Sequence, residues 1–102
     1  MLSLADVDLS NPETVKVMLQ HLEIIDALSN EYMKVNDLRV DLLAQINGAG
    51  LSEMETRLIF ERLVGDKPLT QVHSEVGVSP RWTKRILDEA CRKIASRCPP
   101  MQ

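Results

Sequence analysis

Three basic side chains lie close together in the stretch "GVSPRWTKR", which covers residues 77–85. Arg81, Lys84 and Arg85 have i, i+3 and i+4 spacing, so they share one face wherever this stretch is helical. An arginine can donate two hydrogen bonds to O6 and N7 of a guanine, and a lysine supplies a point charge to a guanine or a phosphate. The cluster therefore predicts contact with double-stranded DNA, and the alternative is an ordinary solvated surface.

The residues before this cluster predict two helices joined by a tight turn. Residues 69–76 are expected to form the first helix. Gly77 permits a positive φ, Val78 is expected to be a buried plug, and Ser79 is the expected N-cap of the second helix, with Pro80 at its first position. A helix, a Gly-apolar-Ser turn and a second helix with exposed basic groups form the sequence pattern of a helix-turn-helix.

The second helix is expected to run to about residue 97 and to end before the two prolines at 99 and 100. Further along this helix lie Arg92, Lys93 and Arg97, which could reach backbone phosphates or keep the surface solvated. Trp82 could stack on a sugar or lie against the phosphates, or it could instead cover the junction of the two helices. The candidate DNA-binding residues are Ser79, Pro80, Arg81, Trp82, Lys84, Arg85, Arg92 and Lys93.

The charge of the chain is unevenly distributed. The 102 residues carry a net charge of −3. Residues 1–60 hold ten acidic and four basic side chains, whereas residues 79–98 hold six basic and two acidic ones. The overall balance therefore conceals a basic C-terminal region, and the two halves of the chain suggest two different tasks.

The N-terminal half predicts one long helix or a helical hairpin. Asn11 is the expected N-cap, Pro12 takes the first helical position, and Gly48 and Gly50 are stop signals. This gives one helix of about 35 residues, or two helices with a break near Ser29-Asn30. Apolar residues recur there every three or four positions, as Val15, Met18, Leu22, Ile25, Leu28, Tyr32, Val35, Leu38, Leu42 and Ile46.

Such a stripe is close to a coiled-coil seam and needs a partner surface. We expect a homodimer, with Ser29 and Asn36 as polar interruptions that set the register. The alternatives are a hairpin within one chain, or a stripe that packs on the C-terminal half as core. The candidate dimerisation residues are Leu22, Ile25, Leu28, Tyr32, Val35 and Leu42.

A short amphipathic helix is predicted between the two halves. Ser52 and Glu55 have the spacing of a capping box at its start. At its end, Gly65 is expected in a left-handed conformation, and Pro68 prevents further helix.

The stretch "ETRLIFERLVGDKPLTQVHSEVGVSPRWTKRILDEACRKIAS" resembles region four of bacterial sigma factors and the C-terminal halves of small phage transcription regulators of the ArpU type. The resemblance covers about the last half of the chain. It implies that Ser79, Pro80, Arg81, Lys84 and Arg85 face promoter DNA. It also implies a second possible partner, because region four docks on RNA polymerase.

The chain departs from that family at three positions. His73 stands where the family usually has alanine, Thr83 where it has valine or isoleucine, and Pro80 where a basic residue is common. These changes weaken the expectation that the usual sigma promoter sequence is bound, but the turn pattern is unaffected.

The sequence therefore predicts an all-α protein with a helical dimerisation segment over residues 1–50 and a sigma region four-like helix-turn-helix over residues 51–102. The expected function is sequence-specific transcriptional regulation, and the alternative is a module that docks on RNA polymerase or a sigma factor without binding DNA alone. No catalytic residues, metal site or cofactor are expected, because His21 and His73 have no nucleophile at a recognisable spacing. The acidic start "MLSLADVDLS" and the lack of a long apolar run predict a cytoplasmic protein without a membrane partner.

Overall fold

Every regular element in residues 7–98, the part of the chain that the computed structural model describes, is a helix. The expected all-α class is therefore confirmed for these residues. The prolines at 99 and 100 and the first six residues of the N-terminal stretch lie outside the described part. The elements are α1 (Pro12–Gln20), α2 (Leu22–Leu28), α3 (Met33–Gly48), α4 (Glu53–Leu58), a π-helix (Ile59–Val64), α5 (Leu69–Val76) and α6 (Pro80–Ala95).

The long N-terminal helix is interrupted twice. Asn11 caps α1 through its side chain, as predicted, but α1 ends at Gln20. The C-cap is His21, whose ring Nδ1 donates to the carbonyl of Val17 at 2.8 Å. Helix α2 ends at the predicted break, where the Ser29 hydroxyl donates to the carbonyl of Asp26 at 2.7 Å. A hydroxyl bonded in this way helps to end a helix.

After this break the chain folds back, and α3 packs against α2. An ion pair with 2.7 Å between Arg39 Nε and Asp26 Oδ1 connects the two helices. The structure thus has the helical hairpin rather than the continuous helix of about 35 residues.

The six candidate dimerisation residues do not form one free surface in the single chain. Leu42 is fully buried within the single chain, and Ile25 and Val35 are also core residues. Leu22 is half-buried against the core. Only Leu28 and Tyr32, at 38% and 56% exposure, remain open to solvent. The apolar stripe therefore serves mainly to fold the chain on itself.

Helix α6 lies at the centre of the fold, where it contacts α1, α3, α4 and α5. The buried side chain of Gln45 on α3 connects the C-terminal end of α6 to the segment before α1. Its Nε2 donates to the carbonyls of Leu9 and Ile94, at 3.0 Å each. Both amide hydrogens of Gln45 are therefore used, as burial of a polar group requires. The fully buried side chains of the core are Val15, Leu19, Leu42, Leu58, Ile59, Val72, Thr83 and Ile94.

The predicted capping box is present at the start of α4, but the end of the following π-helix differs from the prediction. Gly65 has φ −83°, and the left-handed residue is Asp66, with φ 52°. The amide of Gly65 donates to the carbonyl of Phe60 at 2.8 Å, which closes a wide π-type turn. A Cβ on Gly65 would lie 3.0 Å from the carbonyl oxygens of Phe60 and Glu61. At position 65, glycine is therefore favoured by the closeness of these two carbonyl oxygens and not by a positive φ.

Candidate nucleic-acid interface

The turn between α5 and α6 is held by several hydrogen bonds. Gly77 has φ 76°, in the left-handed region that was predicted. The amides of Gly77 and Val78 both donate to the carbonyl of His73, at 3.0 and 3.2 Å. The His73 ring in turn donates a hydrogen bond from Nδ1 to the Val78 carbonyl at 3.2 Å, so Nδ1 carries the hydrogen. Val78 itself is half-buried. These bonds fix the direction in which α6 leaves the turn.

The first turn of α6 is equally well defined. The Ser79 hydroxyl accepts from the amide of Trp82 at 3.1 Å, and Pro80 occupies the first helical position, both as predicted. Thr83 is fully buried, and its hydroxyl donates to the Ser79 carbonyl at 2.9 Å. Thr83 thus occupies an apolar position with its hydroxyl satisfied, which anchors the start of the helix to the core.

Opposite Thr83, the basic cluster faces solvent. Arg81, Lys84 and Arg85 are all exposed, and none of them pairs with a carboxylate anywhere in residues 7–98. Trp82 is 51% exposed, so it does not cover the helix junction completely. The Arg85 guanidinium lies 5.6 Å from the centre of the Trp82 ring, within cation–π range. The indole therefore helps to hold Arg85 on this face.

These side chains border an open cleft of about 480 Å³ at the start of α6, which also reaches Ser79 and Asp88. We call this cleft and the exposed side chains of Arg81, Trp82, Lys84 and Arg85 the basic face. It covers only the first half of the helix, because Asp88 and Glu89 follow it. A polyanion would therefore be attracted most strongly to the first half of α6.

The two candidate residues in the second half of α6 are both ion-paired. Arg92 lies 3.4 Å from Glu89, and because both side chains are more than half exposed this pair contributes little. Lys93 Nζ lies 2.9 Å from Oε1 of Glu55, which is buried. Lys93 is therefore engaged within the protein, where it links α6 to α4. The interpretation of Lys93 as a DNA contact is not supported by this placement.

Glu55 has two roles, of which the sequence predicted only the capping box. Burial alone would raise the pKa of Glu55. However, the backbone amide of Ser52 donates to Oε1 at 3.0 Å, and Lys93 donates to the same oxygen. Together these bonds lower the pKa below its ordinary value of 4.5. The carboxylate thus completes the capping box and also anchors α6.

We expect Glu55→Gln to lower the free energy of unfolding at pH 7 by about 1–2 kcal/mol. A glutamine oxygen can still accept from the Ser52 amide, so the loss comes from the missing charge, which weakens that bond and breaks the partly screened ion pair with Lys93. Since the pKa of Glu55 is lowered by folding, the stabilisation is present above 4.5 and disappears as the pH falls through the folded value. Urea unfolding at pH 7 and in acid measures this difference.

The neighbouring exposed carboxylate provides the control for that experiment. Glu53→Gln on the same helix should change stability at pH 7 by less than about 0.5 kcal/mol. A Glu55→Gln penalty of equal size at neutral and acid pH would show that the lost charge is not its cause.

Two basic residues that the sequence analysis did not single out lie beside Lys84. Lys16 on α1 and Arg62 on the π-helix line a pocket together with Lys84 and Asp88. No local pattern could have shown this, because it depends on the packing of α1 and the π-helix around α6. The one available signal was that Lys16 is the single basic residue in the sequence of α1.

One of the two cysteines is held in an unreactive setting. Burial raises the pKa of the Cys91 thiol to about 11, so it stays protonated at neutral pH. Cys91 and Cys98 are both free thiols. Residues 7–98 contain no group of three or more histidine, cysteine or acidic side chains placed to hold a metal. Within the same residues, no helix combines the length and the apolar character needed to cross a bilayer.

Comparisons with models of protein families, with curated proteins and with solved structures returned no match to this chain.

Proposed function

We propose that the chain is a sequence-specific regulator of transcription that places the first half of α6 in the major groove of double-stranded DNA. One observation carries the proposal: Arg81, Lys84 and Arg85 are exposed and free of ion pairs in residues 7–98, whereas Arg92 and Lys93 further along the same helix are paired. The cations at the start of α6 therefore have no carboxylate partner in the described structure, and DNA offers both phosphates and guanine edges to them.

The exposed N-terminal end of α6 and its anchoring to the core also support the proposed contact with the major groove. The exposed N-terminal end of a helix carries a partial positive charge that favours phosphate. The helix leaves a short turn and is anchored on its inner side by Thr83. An α-helix fits the width of the major groove, and contacts from residues near its N-terminus are typical of helix-turn-helix proteins.

The packing also accounts for two of the departures from region four of sigma factors. Thr83 fills its buried position because the Ser79 carbonyl accepts its hydroxyl hydrogen. His73 lies in the turn and bonds to the Val78 carbonyl, where an alanine could make no such bond. Both residues are therefore compatible with the proposed helix-turn-helix.

The number of subunits is a separate matter from DNA binding. With Ile25, Val35 and Leu42 in the core, a homodimer would have to be built on other apolar residues. Those exposed on α2, α3 and the turn between them are Ile24, Leu28, Tyr32, Met33 and Val40.

A second candidate function is docking on RNA polymerase or a sigma factor without independent DNA binding. A groove of about 710 Å³ between the start of α4 and the outer side of α6 favours it. Met54 at 38% exposure and Trp82 at 51% supply exposed apolar surface in this groove, beside the charged Arg85 and Arg92. A mixture of aromatic, methionine and arginine side chains is typical of protein interfaces.

The two functions are separated by titrating a labelled random duplex with protein and following fluorescence anisotropy. We compare the wild type with the triple variant Arg81→Gln, Lys84→Gln and Arg85→Gln at low salt. The control is the triple variant Lys34→Gln, Arg57→Gln and Lys67→Gln, which removes the same charge from other parts of the surface.

We expect the first triple variant to bind at least about tenfold more weakly than the control, because each lost phosphate contact weakens binding. Equal losses in both variants would mean that net charge alone governs binding and would contradict the proposal. No binding by the wild type, with stable capture of purified RNA polymerase, would favour the second function.

A further inference from the structure

A small pocket lies where α1, the π-helix, the start of α5 and α6 meet. Its volume is about 260 Å³, and buried leucines on the π-helix and α6 form part of its lining. Lys16, Arg62 and Lys84 bring three positive charges to it from three different elements, and Asp88 brings one negative charge. Three separate segments of the chain therefore place cations around a single pocket.

None of these three cations pairs with a carboxylate within residues 7–98. Arg62 uses one guanidinium nitrogen to donate to the carbonyl of Lys67 at 2.9 Å, which leaves its other donors for a ligand. Lys16 and Arg62 are both half-buried. A half-buried cation without a counter-charge is unfavourable, and an anion in the pocket would compensate all three.

The size and position of the pocket suit a phosphate group. A water molecule takes about 30 Å³ of liquid, so the pocket has room for one phosphate and a few waters. A guanidinium bonds phosphate oxygens in pairs, and lysines supply point charges. Lys84 and Asp88 border both this pocket and the cleft of the basic face. A group bound in the pocket would therefore lie next to the proposed DNA contact.

We propose that Lys16, Arg62 and Lys84 form a binding site for a single phosphate group. The phosphate can belong to the DNA backbone, and that source rests on the proposed function, or to a free phosphorylated molecule. In both cases α1, which lies outside the helix-turn-helix, supplies part of the anion site. Asp88 weakens the site and so limits its affinity for phosphate.

The DNA arm of the test measures how the affinity for a duplex depends on salt. Each phosphate neutralised by a basic side chain steepens the plot of log affinity against log salt by about 0.9. We expect Lys16→Gln to reduce this slope by about 1. Lys34→Gln removes the same charge from α3, outside the pocket, and should leave the slope unchanged.

The second arm uses inorganic phosphate and no DNA, with chloride at matched ionic strength as reference. Amide chemical shifts of the pocket residues should change with phosphate and reach saturation in the wild type. Lys16→Gln should weaken this binding at least about fivefold, and Asp88→Asn should strengthen it, because one charge of each sign is removed. A gain in Asp88→Asn cannot arise from misfolding, and circular dichroism checks the fold of Lys16→Gln.

The two arms distinguish the sources of the phosphate. A reduced slope in Lys16→Gln assigns the pocket to a DNA phosphate, and lost binding of inorganic phosphate with an unchanged slope assigns it to a free phosphorylated molecule. If the wild type binds no duplex, the proposed function is wrong, but the measurement with inorganic phosphate still tests whether the pocket binds phosphate. The pocket proposal is overturned if Lys16→Gln and Lys34→Gln have the same salt slope for duplex binding and the same affinity for inorganic phosphate. It is also overturned if the wild type binds neither ligand.

Discussion

Replacing Leu42 by alanine is expected to lower the free energy of unfolding by about 2–5 kcal/mol. Leu42 is fully buried in the core of the single chain. The change removes apolar contacts and leaves a cavity that the surrounding helices fill only in part. For a domain of about 100 residues this corresponds to a fall in melting temperature of roughly 10 °C or more. Thermal and urea unfolding measure both quantities.

The same variant tests where Leu42 is buried. If Leu42 packs within one chain, the loss is the same at every protein concentration. A loss that shrinks or grows with concentration would instead place Leu42 in an interface between subunits. Val40→Ala is the matched control, because Val40 is on the same helix and 51% exposed, and its loss should stay within about 0.5 kcal/mol.

Replacing Arg81 by alanine is expected to relax the sequence preference at one or two base positions, by about 1–3 kcal/mol each. Arg81 is exposed at the start of α6, where no carboxylate in residues 7–98 pairs with it. Its guanidinium is therefore free to bond both acceptors of a guanine. Binding of the variant to a panel of duplexes with single base changes measures the effect position by position.

Arg92→Ala is the control for this experiment, since Arg92 lies on the same helix but pairs with Glu89 beyond the basic face. It should change affinity little, and by the same amount for every duplex in the panel. A binding profile of Arg81→Ala that matches the wild type at every position would remove Arg81 from base recognition.

The elements next to the basic face could be predicted from the sequence because their signals are local. The span of α5, the left-handed Gly77, the Ser79 cap and Pro80 at the first position all follow from residue types within a few positions. Local hydrogen bonds and steric limits decide these features, whatever the rest of the chain does.

The burial of the N-terminal stripe could not be predicted in the same way. Spacing by three or four shows that residues share a helix face, but a face that packs on its own chain has the same pattern as one that packs on a partner. Ile25 and Leu42 were placed in a seam between chains for this reason, whereas both belong to the core. The break near Ser29 was visible in the sequence, but the way the chain folds back after it was not.

Several side-chain contacts could not be predicted because they join segments that are distant in the sequence. Lys93 was a candidate for a phosphate contact or a solvated surface, but it forms an ion pair with Glu55 on α4. Gln45 carries no recognisable motif, yet it joins the carbonyls of Leu9 and Ile94. Lys16 reaches the neighbourhood of Lys84 only because α1 packs on α6. Such pairs follow from the tertiary structure and have no signature along the chain.

The most direct test of the proposed function is selection of bound sequences from a random duplex library at near-physiological salt, where non-specific attraction to phosphates is weakened. We expect a defined site to be enriched by the wild type, with guanines at the positions that Arg81→Ala relaxes. An inverted repeat would indicate a dimer and a single asymmetric site a monomer. A library that the wild type leaves no more enriched than the triple variant of the basic face would contradict sequence-specific DNA binding.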